Sequence, residues 1–383
     1  MKILGFEIKR AENYAQPPQQ REVGGFVIRQ EATQIIPATI EQYISSLSVA
    51  RSQYSQERGY LYDMYQNALD FDAQLVTVLE KRIINTSGLR LEYVVGDTVL
   101  NAQTVVDSPR FGQFVADYLM ALRFWGMGLF EFRVKRWGSQ SLFDYATVPV
   151  KHIDPYTKTV RVQQYTASEG DKSWEGLRNV VFVGSEDSLG MGLQATLLAL
   201  YKRETTNRYM NYIRLAGNNF ERVKYRGAIP DPQRRRDIID RIQSRQSSTI
   251  DLPPDIDVEF DNLSSSQQND LFEGALKYYN EQLTMLVLGQ TMTTESGSSR
   301  SQAEVHERVQ DSIFDADAKA LLDMLNFEMY ELMPMWGLPL GGRWRFAERA
   351  SSKLLQMAEL DVKLKELGVV WTNDELRARY GMQ

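Results

Sequence analysis

The chain has 383 residues, 43% hydrophobic and 11% aromatic, which is enough for substantial cores and for two or three units of ordinary size. It has no cysteine, which excludes disulfides, a thiolate nucleophile and cysteine-ligated zinc or iron–sulfur centres, and only His152 and His306 can supply an imidazole ligand or base. The formal net charge is −6, and with only a short apolar run at the N-terminus and no stretch of roughly 18 to 20 apolar residues, a soluble intracellular protein without signal peptide or membrane span is expected.

Residues 1–30 carry Gln, Pro, Arg and Gly clusters and one short apolar patch, Phe26 to Ile28, and read as an arm that orders, if at all, against a partner. Helix is expected from near Ile40. Residues 60–88 fit a helix or a broken pair of helices, with Leu61, Met64, Tyr65, Ala68, Leu75, Val78 and Leu79 inward and Gly88 as the stop. Residues 89–95 alternate as a strand does. Ser108-Pro109 reads as a cap and first turn, followed by one apolar face of Phe111, Phe114, Val115, Tyr118, Leu119 and Leu122, with Gly126 and Gly128 at its end. Strands are expected over 129–137, 144–152, 159–165 and 179–183, so the first half of the chain is an α+β unit.

A long helix is expected over about 193–215, and Asp231-Pro232 starts a short one that carries Arg234, Arg235 and Arg236. Pro253-Pro254 breaks the chain, 257–260 is strand-like, and Ser266 can cap the next helix. Leu271, Phe272, Ala275, Leu276, Tyr279, Leu283, Leu286 and Val287 then mark one helix face, closed by Gly289. After a polar stretch, Ser301 and Glu304 form a capping-box pattern, and Val305, Val309, Ile313, Ala316, Ala320 and Phe327 mark the next apolar stripe. Pro334 interrupts this helix, Trp336-Gly337 and Gly341-Gly342 mark turns, residues 345–348 lead into a final helical region, and Thr372 caps a last short helix.

The charge is unevenly placed. Residues 201–245 hold twelve Lys or Arg against five acids, while 251–281 hold eight acids against one Lys. Solvated helix faces account for such blocks; if the blocks lie on different sides of one subunit, they also let copies meet head to tail and close into a ring.

The chemical motifs are few. Gly190, Gly192 and Ala195 follow a strand and open a helix, but the spacer, the missing parallel strand and the missing acid argue for a packing turn rather than a dinucleotide site. There is no GxxxxGK[ST] loop, and His306 lacks the second histidine of HExxH. Asp70 and Asp72 lack an accompanying base, ligand or phosphate cradle. No catalytic residue, cofactor or metal is therefore expected.

Three blocks carry a resemblance: YLYDMYQNALDFDAQLVTVLEKRIINTSGLRLEY, LMALRFWGMGLFEFRVKRW, and LVLGQTMTTESGSSRSQAEVHERVQDSIFDADAKALLDMLN. In content and order they resemble the Mu-like portal proteins of tailed bacteriophages, over roughly residue 40 to the C-terminus. The chain stops at Gln383, where relatives tend to continue.

The resemblance implies an α+β portal fold and a homo-oligomeric ring, usually of twelve, at one capsid vertex of a virion assembled in the host cytoplasm. Double-stranded DNA would pass through the ring without sequence-specific contacts. The partners implied are the major capsid protein, the large terminase and a head-tail adaptor. Carried onto this chain, residues 1–30 are an arm, 31–188 and 302–344 the wing, 190–217 and 264–288 the stem helices, 218–263 the clip and 345–383 the crown. The tunnel loop, 289–301, would line the DNA channel with Gln290, Thr291, Met292, Thr293, Thr294, Glu295, Ser296, Gly297, Ser298, Ser299 and Arg300. Arg222, Lys224, Arg226, Arg234, Arg235 and Arg236 form a basic clip patch for a subunit, terminase or DNA contact. A DNA-processing enzyme of a mobile element and a generic multimeric scaffold are the alternatives.

Overall fold

The computed structural model describes residues 2–3, 6–7, 19–23, 25–30, 38–52, 57–216, 220–225, 231–243, 256–261, 266–289, 300–347, 358, 360–365, 367, 371–372 and 375. Strands β1 (Lys2–Ile3) and β2 (Phe6–Glu7) pair antiparallel, as do β3 (Gln19–Val23) and β4 (Phe26–Gln30). Phe26 and Ile28 are buried in the chain's own core. The N-terminal segment read as an arm thus contributes two core residues without a partner, because alternation along β4 turns both to the same face.

Helix α1 (Ile40–Ala50) opens on a reciprocal cap, with the Thr39 hydroxyl accepting from the Gln42 amide at 3.2 Å and Gln42 Oε1 accepting from the Thr39 amide at 2.9 Å. The segment expected as one broken helix is α2 (Gly59–Phe71) and α3 (Ala73–Ser87). The break is Asp72, whose extended backbone lets its carboxylate accept from the Leu75 amide at 3.1 Å and so cap α3. Of the residues expected inward, all but the half-buried Met64 are buried.

Next come β5 (Leu91–Val95), β6 (Thr98–Leu100), α4 (Gln103–Val106) and α5 (Phe111–Leu119), which runs into a π turn, Met120–Trp125. Ser108 does not cap α5. Its hydroxyl donates to the Phe143 carbonyl at 2.7 Å and so ties the helix entry to the sheet. That sheet has the order β12-β7-β8, from β7 (Met127–Trp137), β8 (Gln140–Val148) and β12 (Val180–Gly184), all antiparallel. Strand β8 ends earlier than expected because Pro149 follows it and Val150–His152 coils into a 3-10 turn. Short β9 (Ile153–Asp154), β10 (Thr159–Val160) and β11 (Lys172–Ser173) make a separate sheet, in which the expected strand 159–165 keeps only its first two residues.

The second half holds α6 (Gly192–Ala216), β13 (Phe220–Tyr225), α7 (Pro232–Gln243), β14 (Ile256–Asp261), α8 (Ser266–Leu288) and α9 (Arg300–Asp323). A π turn, Met324–Glu328, and a 3-10 helix, Tyr330–Trp336, lead to β15 (Arg343–Phe346). Strand β15 pairs with β5 in the order β15-β5-β6, so residues expected to open the crown complete a sheet begun 250 positions earlier. Further along, the expected Thr372 cap is present, its hydroxyl accepting from the Glu375 amide at 3.3 Å, and Glu375 Oε2 accepts from the Thr372 amide at 2.9 Å in return.

Two apolar cores result. One joins α1, α2, α3, the start of α6 and the end of α8; the other packs α5 and the α9 end against β7 and β8 around Phe114, Phe132, Phe143 and Trp336. Rings in the second core meet edge-on or tilted at centroid separations of 5.1 to 6.2 Å. Of the stripe expected on α9, the Val305 and Val309 side chains lie outside what the structure describes, Ile313 and Ala320 are half-buried and Ala316 and Phe327 are exposed; among the described residues here the buried positions are Asp317, Ala318, Leu321, Met324, Leu325 and Met329. A charged residue, Asp317, occupies the inward face and hides its phase, and the π turn then swings Phe327 outward.

Candidate channel site

Helices α6 and α8, of 25 and 23 residues, form an antiparallel pair roughly 35 Å long. Phe272 stacks on Tyr209 at 5.1 Å and leans on Tyr212 at 5.8 Å, placing the end of α6 beside the start of α8. Between them the chain makes the β13–β14 hairpin and α7. In that hairpin Arg222 stands opposite Glu259, and Lys224 opposite Asp257. Register thus places two residues of the basic block opposite two of the acidic block, an arrangement in which opposite charges favour strand pairing. Antiparallel return of the chain is the reason, which a one-dimensional charge count does not reveal.

Helix α7 starts at Pro232 because Asp231 Oδ1 accepts from the Gln233 and Arg234 amides at 2.8 and 2.9 Å. The Arg234 amide first, then that of Gln233, holds the Asp231 carboxyl below the usual carboxylate range. Arg234, Arg235 and Arg236 follow, all exposed. Arg226 lies outside the described residues.

The last turns of α8 are buried through Leu283, Val287 and Leu288, and the helix stops at Gly289, whose φ of 72° fits the left-handed terminus. Residues 290–299, from Gln290 to Ser299, lie outside the described residues, and Arg300 is the first residue of α9. The two helices that bracket this segment, α8 and α9, are joined by one buried ionic node. The wholly buried Asp317 of α9 takes two hydrogen bonds from Arg82 of α3, Nε to Oδ2 at 2.6 Å and Nη2 to Oδ1 at 2.9 Å. Arg123, carried by the Met120–Trp125 π turn, donates to Oδ1 at 2.8 Å. The remaining Arg82 nitrogen, Nη1, donates to the Val287 carbonyl at 2.8 Å, one residue before the end of α8. Gln74 adds a bond to Thr284 at 2.9 Å. Thus α3 grips both helices that bracket residues 290–299.

Reading the sequence for charged surface missed this node. Its signal was there: Val78, Leu79 and Arg82 are spaced as one inward helix face, and a cation on such a face requires a buried anion. The carboxylates weighed for catalysis have structural partners instead. Asp70 accepts from Gln66 at 2.8 Å, and Asp72 caps α3 and pairs with Lys202 at 2.8 Å. Among the described residues, no three His, Asp or Glu side chains converge as metal ligands, and no helix is long and apolar enough to cross a membrane.

The Gly190–Ala195 turn packs against the π turn that carries Arg123. A Cβ on Gly190 would lie 2.2 Å from the Phe124 carbonyl oxygen, and one on Gly192 would meet the Tyr65 ring at 2.5 Å. The glycines are packing residues at the origin of α6.

Compared with solved structures, the fold is similar to a chain in the neck of the native gene transfer agent particle computed with C12 symmetry, with a TM-score of 0.52 and 9% identity over 90% of this chain and 99% of that one. A chain of the native gene transfer agent virion gives a TM-score of 0.52 at 10% identity, again over 90% and 99%. An HK97 family phage portal protein from Corynebacterium diphtheriae gives 0.46 at 12% identity, over 76% of this chain and 96% of that one. No curated protein sequence matches. The family model described as the portal protein of Mu bacteriophage matches residues 62–382, and the chain belongs to that family of phage portal proteins.

Proposed function

We propose that this portal protein assembles into a closed ring, of twelve copies by preference, that conducts double-stranded DNA at one vertex of a virion capsid and catalyses no reaction itself. The observation that carries the reading is the order of parts within the family match: a long helix, a small charged insert, an antiparallel long helix, a polar segment, and a helix returning to the α+β body. In this reading α6 and α8 are the stem, residues 218–263 the clip that docks the large terminase and later the head-tail adaptor, and 289–301 the tunnel loop. The α+β body is the wing, set against the major capsid protein, and the crown begins after Ala347 because β15 belongs to the wing sheet. The preference for twelve draws on the C12 symmetry of the similar neck.

Moving DNA requires contacts that are weak and replaceable. Duplex DNA presents a phosphate charge about every 1.7 Å, so many fixed cations would hold it in place. From Gln290 to Arg300 the segment offers Thr, Ser, Gln, Gly and one Met with one acid, Glu295, and one cation, Arg300. Deleting 293–299 is expected to leave ring assembly intact and to reduce DNA packaging at least roughly tenfold, read as protected DNA per particle beside particle mass. Rings that fail to form in this variant, or packaging at the unaltered level, would contradict the assignment.

A further inference from the structure

The α6–α8 pair exposes apolar side chains on two separate edges. Met210 and Ile213 of α6 are 59% and 45% exposed, and Leu271, Tyr278 and Met285 of α8 are 74%, 54% and 46% exposed. The three on α8 recur every seven residues, the spacing of a seam that packs along another helix. Helical geometry places the two edges. Successive residues turn by about 100°, and Tyr209 and Tyr212 mark the α6 side that faces α8 while Phe272 marks the reciprocal side. From these references Met210 and Ile213 rotate to one face of the two-helix layer and Leu271, Tyr278 and Met285 to the opposite face, because the helices are antiparallel. Arg214 lies on the outer edge of α6 and Asp270 on the outer edge of α8, both exposed.

Two surfaces on opposite faces of a layer cannot both be buried in one twofold contact, but each can be buried against the other around a ring. Rotation about a ring axis adds no shift along a stem parallel to it. Arg214, two residues beyond Tyr212, and Asp270, two before Phe272, therefore come to the same height, with Met210 and Ile213 level with Leu271. The charges are complementary at that level. We infer that the α6 edge of one copy, Met210, Ile213 and Arg214, docks on the α8 edge of the next copy, Asp270, Leu271 and Tyr278. This rests on the ring reading above and assigns the partner of each stem edge.

The test uses the full chain, which has no cysteine of its own. The variant carrying Met210→Cys and Leu271→Cys, oxidised after assembly, is expected to give a ladder of covalent oligomers up to the ring on non-reducing gels. Arg214→Asp alone and Asp270→Arg alone are expected to lower the ring fraction at fixed concentration at least roughly tenfold, and the two together to restore it. Circular dichroism checks that each variant is folded. Rings seen by mass photometry without a ladder, or reversals that fail to compensate, would overturn the edge assignment and leave the ring reading standing. The same holds for a Leu271→Cys protein that links only into dimers. A folded, unaltered chain that never forms rings would overturn both.

Discussion

Asp317→Ala is expected to lower the free energy of unfolding by about 3–5 kcal/mol, the scale for removing one partner of a buried ion pair. The carboxylate is wholly buried and takes hydrogen bonds from Arg82 and Arg123, so its loss leaves the Arg82 guanidinium, itself nearly buried, beside an empty site. Arg123→Ala should cost less, about 1–2 kcal/mol, because its side chain is 31% exposed and solvent replaces its partner. Pairing Arg82→Met with Asp317→Leu should recover much of the loss, since replacing both charges by apolar groups removes the unpaired charge. Denaturant unfolding checks all three. The node also ties the last turn of α8 to the middle of α9, because Arg82 grips the Val287 carbonyl and Asp317 together. Hydrogen exchange at the ends of α8 and α9 should therefore accelerate in Asp317→Ala before the rest of the fold does. A loss under 1 kcal/mol, or exchange unchanged at those ends, would show that apolar packing alone holds the two helices.

Gly190→Ala and Gly184→Ala are each expected to destabilise by about 3 kcal/mol or more, through a steric clash combined with backbone strain. At Gly190 the new Cβ would sit 2.2 Å from the Phe124 carbonyl oxygen, and at Gly184 it would sit 2.2 Å from the Gly126 carbonyl oxygen. Both obstacles are backbone at the end of the π turn, so no side chain can rotate away. Both glycines have positive φ, 64° and 93°. Gly138 separates the two terms: its φ is 59° and a Cβ there meets nothing within 4 Å. Gly138→Ala should thus cost only about 1–2 kcal/mol, the left-handed backbone term by itself. Equal effects at Gly138 and Gly190 would mean that close packing at the start of α6 contributes nothing.

Long periodic segments were the legible part of the fold. The extents of α6 and α8 follow from periodicity and terminal glycines, and α2 and α3 from their inward residues, with Asp72 adding the break. The sheet partner of β5 was not legible. Strand β15 is four residues long, preceded by the Gly341-Gly342 turn and separated from β5 by most of the chain, so nothing local marks it. The inward face near Asp317 on α9 was not legible for a different reason. Hydrophobic periodicity assumes that charges point outward, and Asp317 points inward because two arginines from other elements neutralise it there. Charge counts along the sequence likewise did not show that Arg222 and Lys224 stand opposite Glu259 and Asp257 in the strand register. In each case the missing information was a long-range pairing. Family membership was legible in three sequence blocks, and the matched span of 62–382 covers them in all but the first two residues of the first block.

A closed ring built from one chain is the proposed working form of this protein. Native mass spectrometry of the purified protein, across a series of salt and protein concentrations, tests it most directly. A single closed species is predicted, at or near twelve times the 44.0 kDa subunit mass, with two-dimensional averages showing a central channel. A folded protein that stays monomeric at every salt and concentration, or that forms only twofold dimers, would contradict the account.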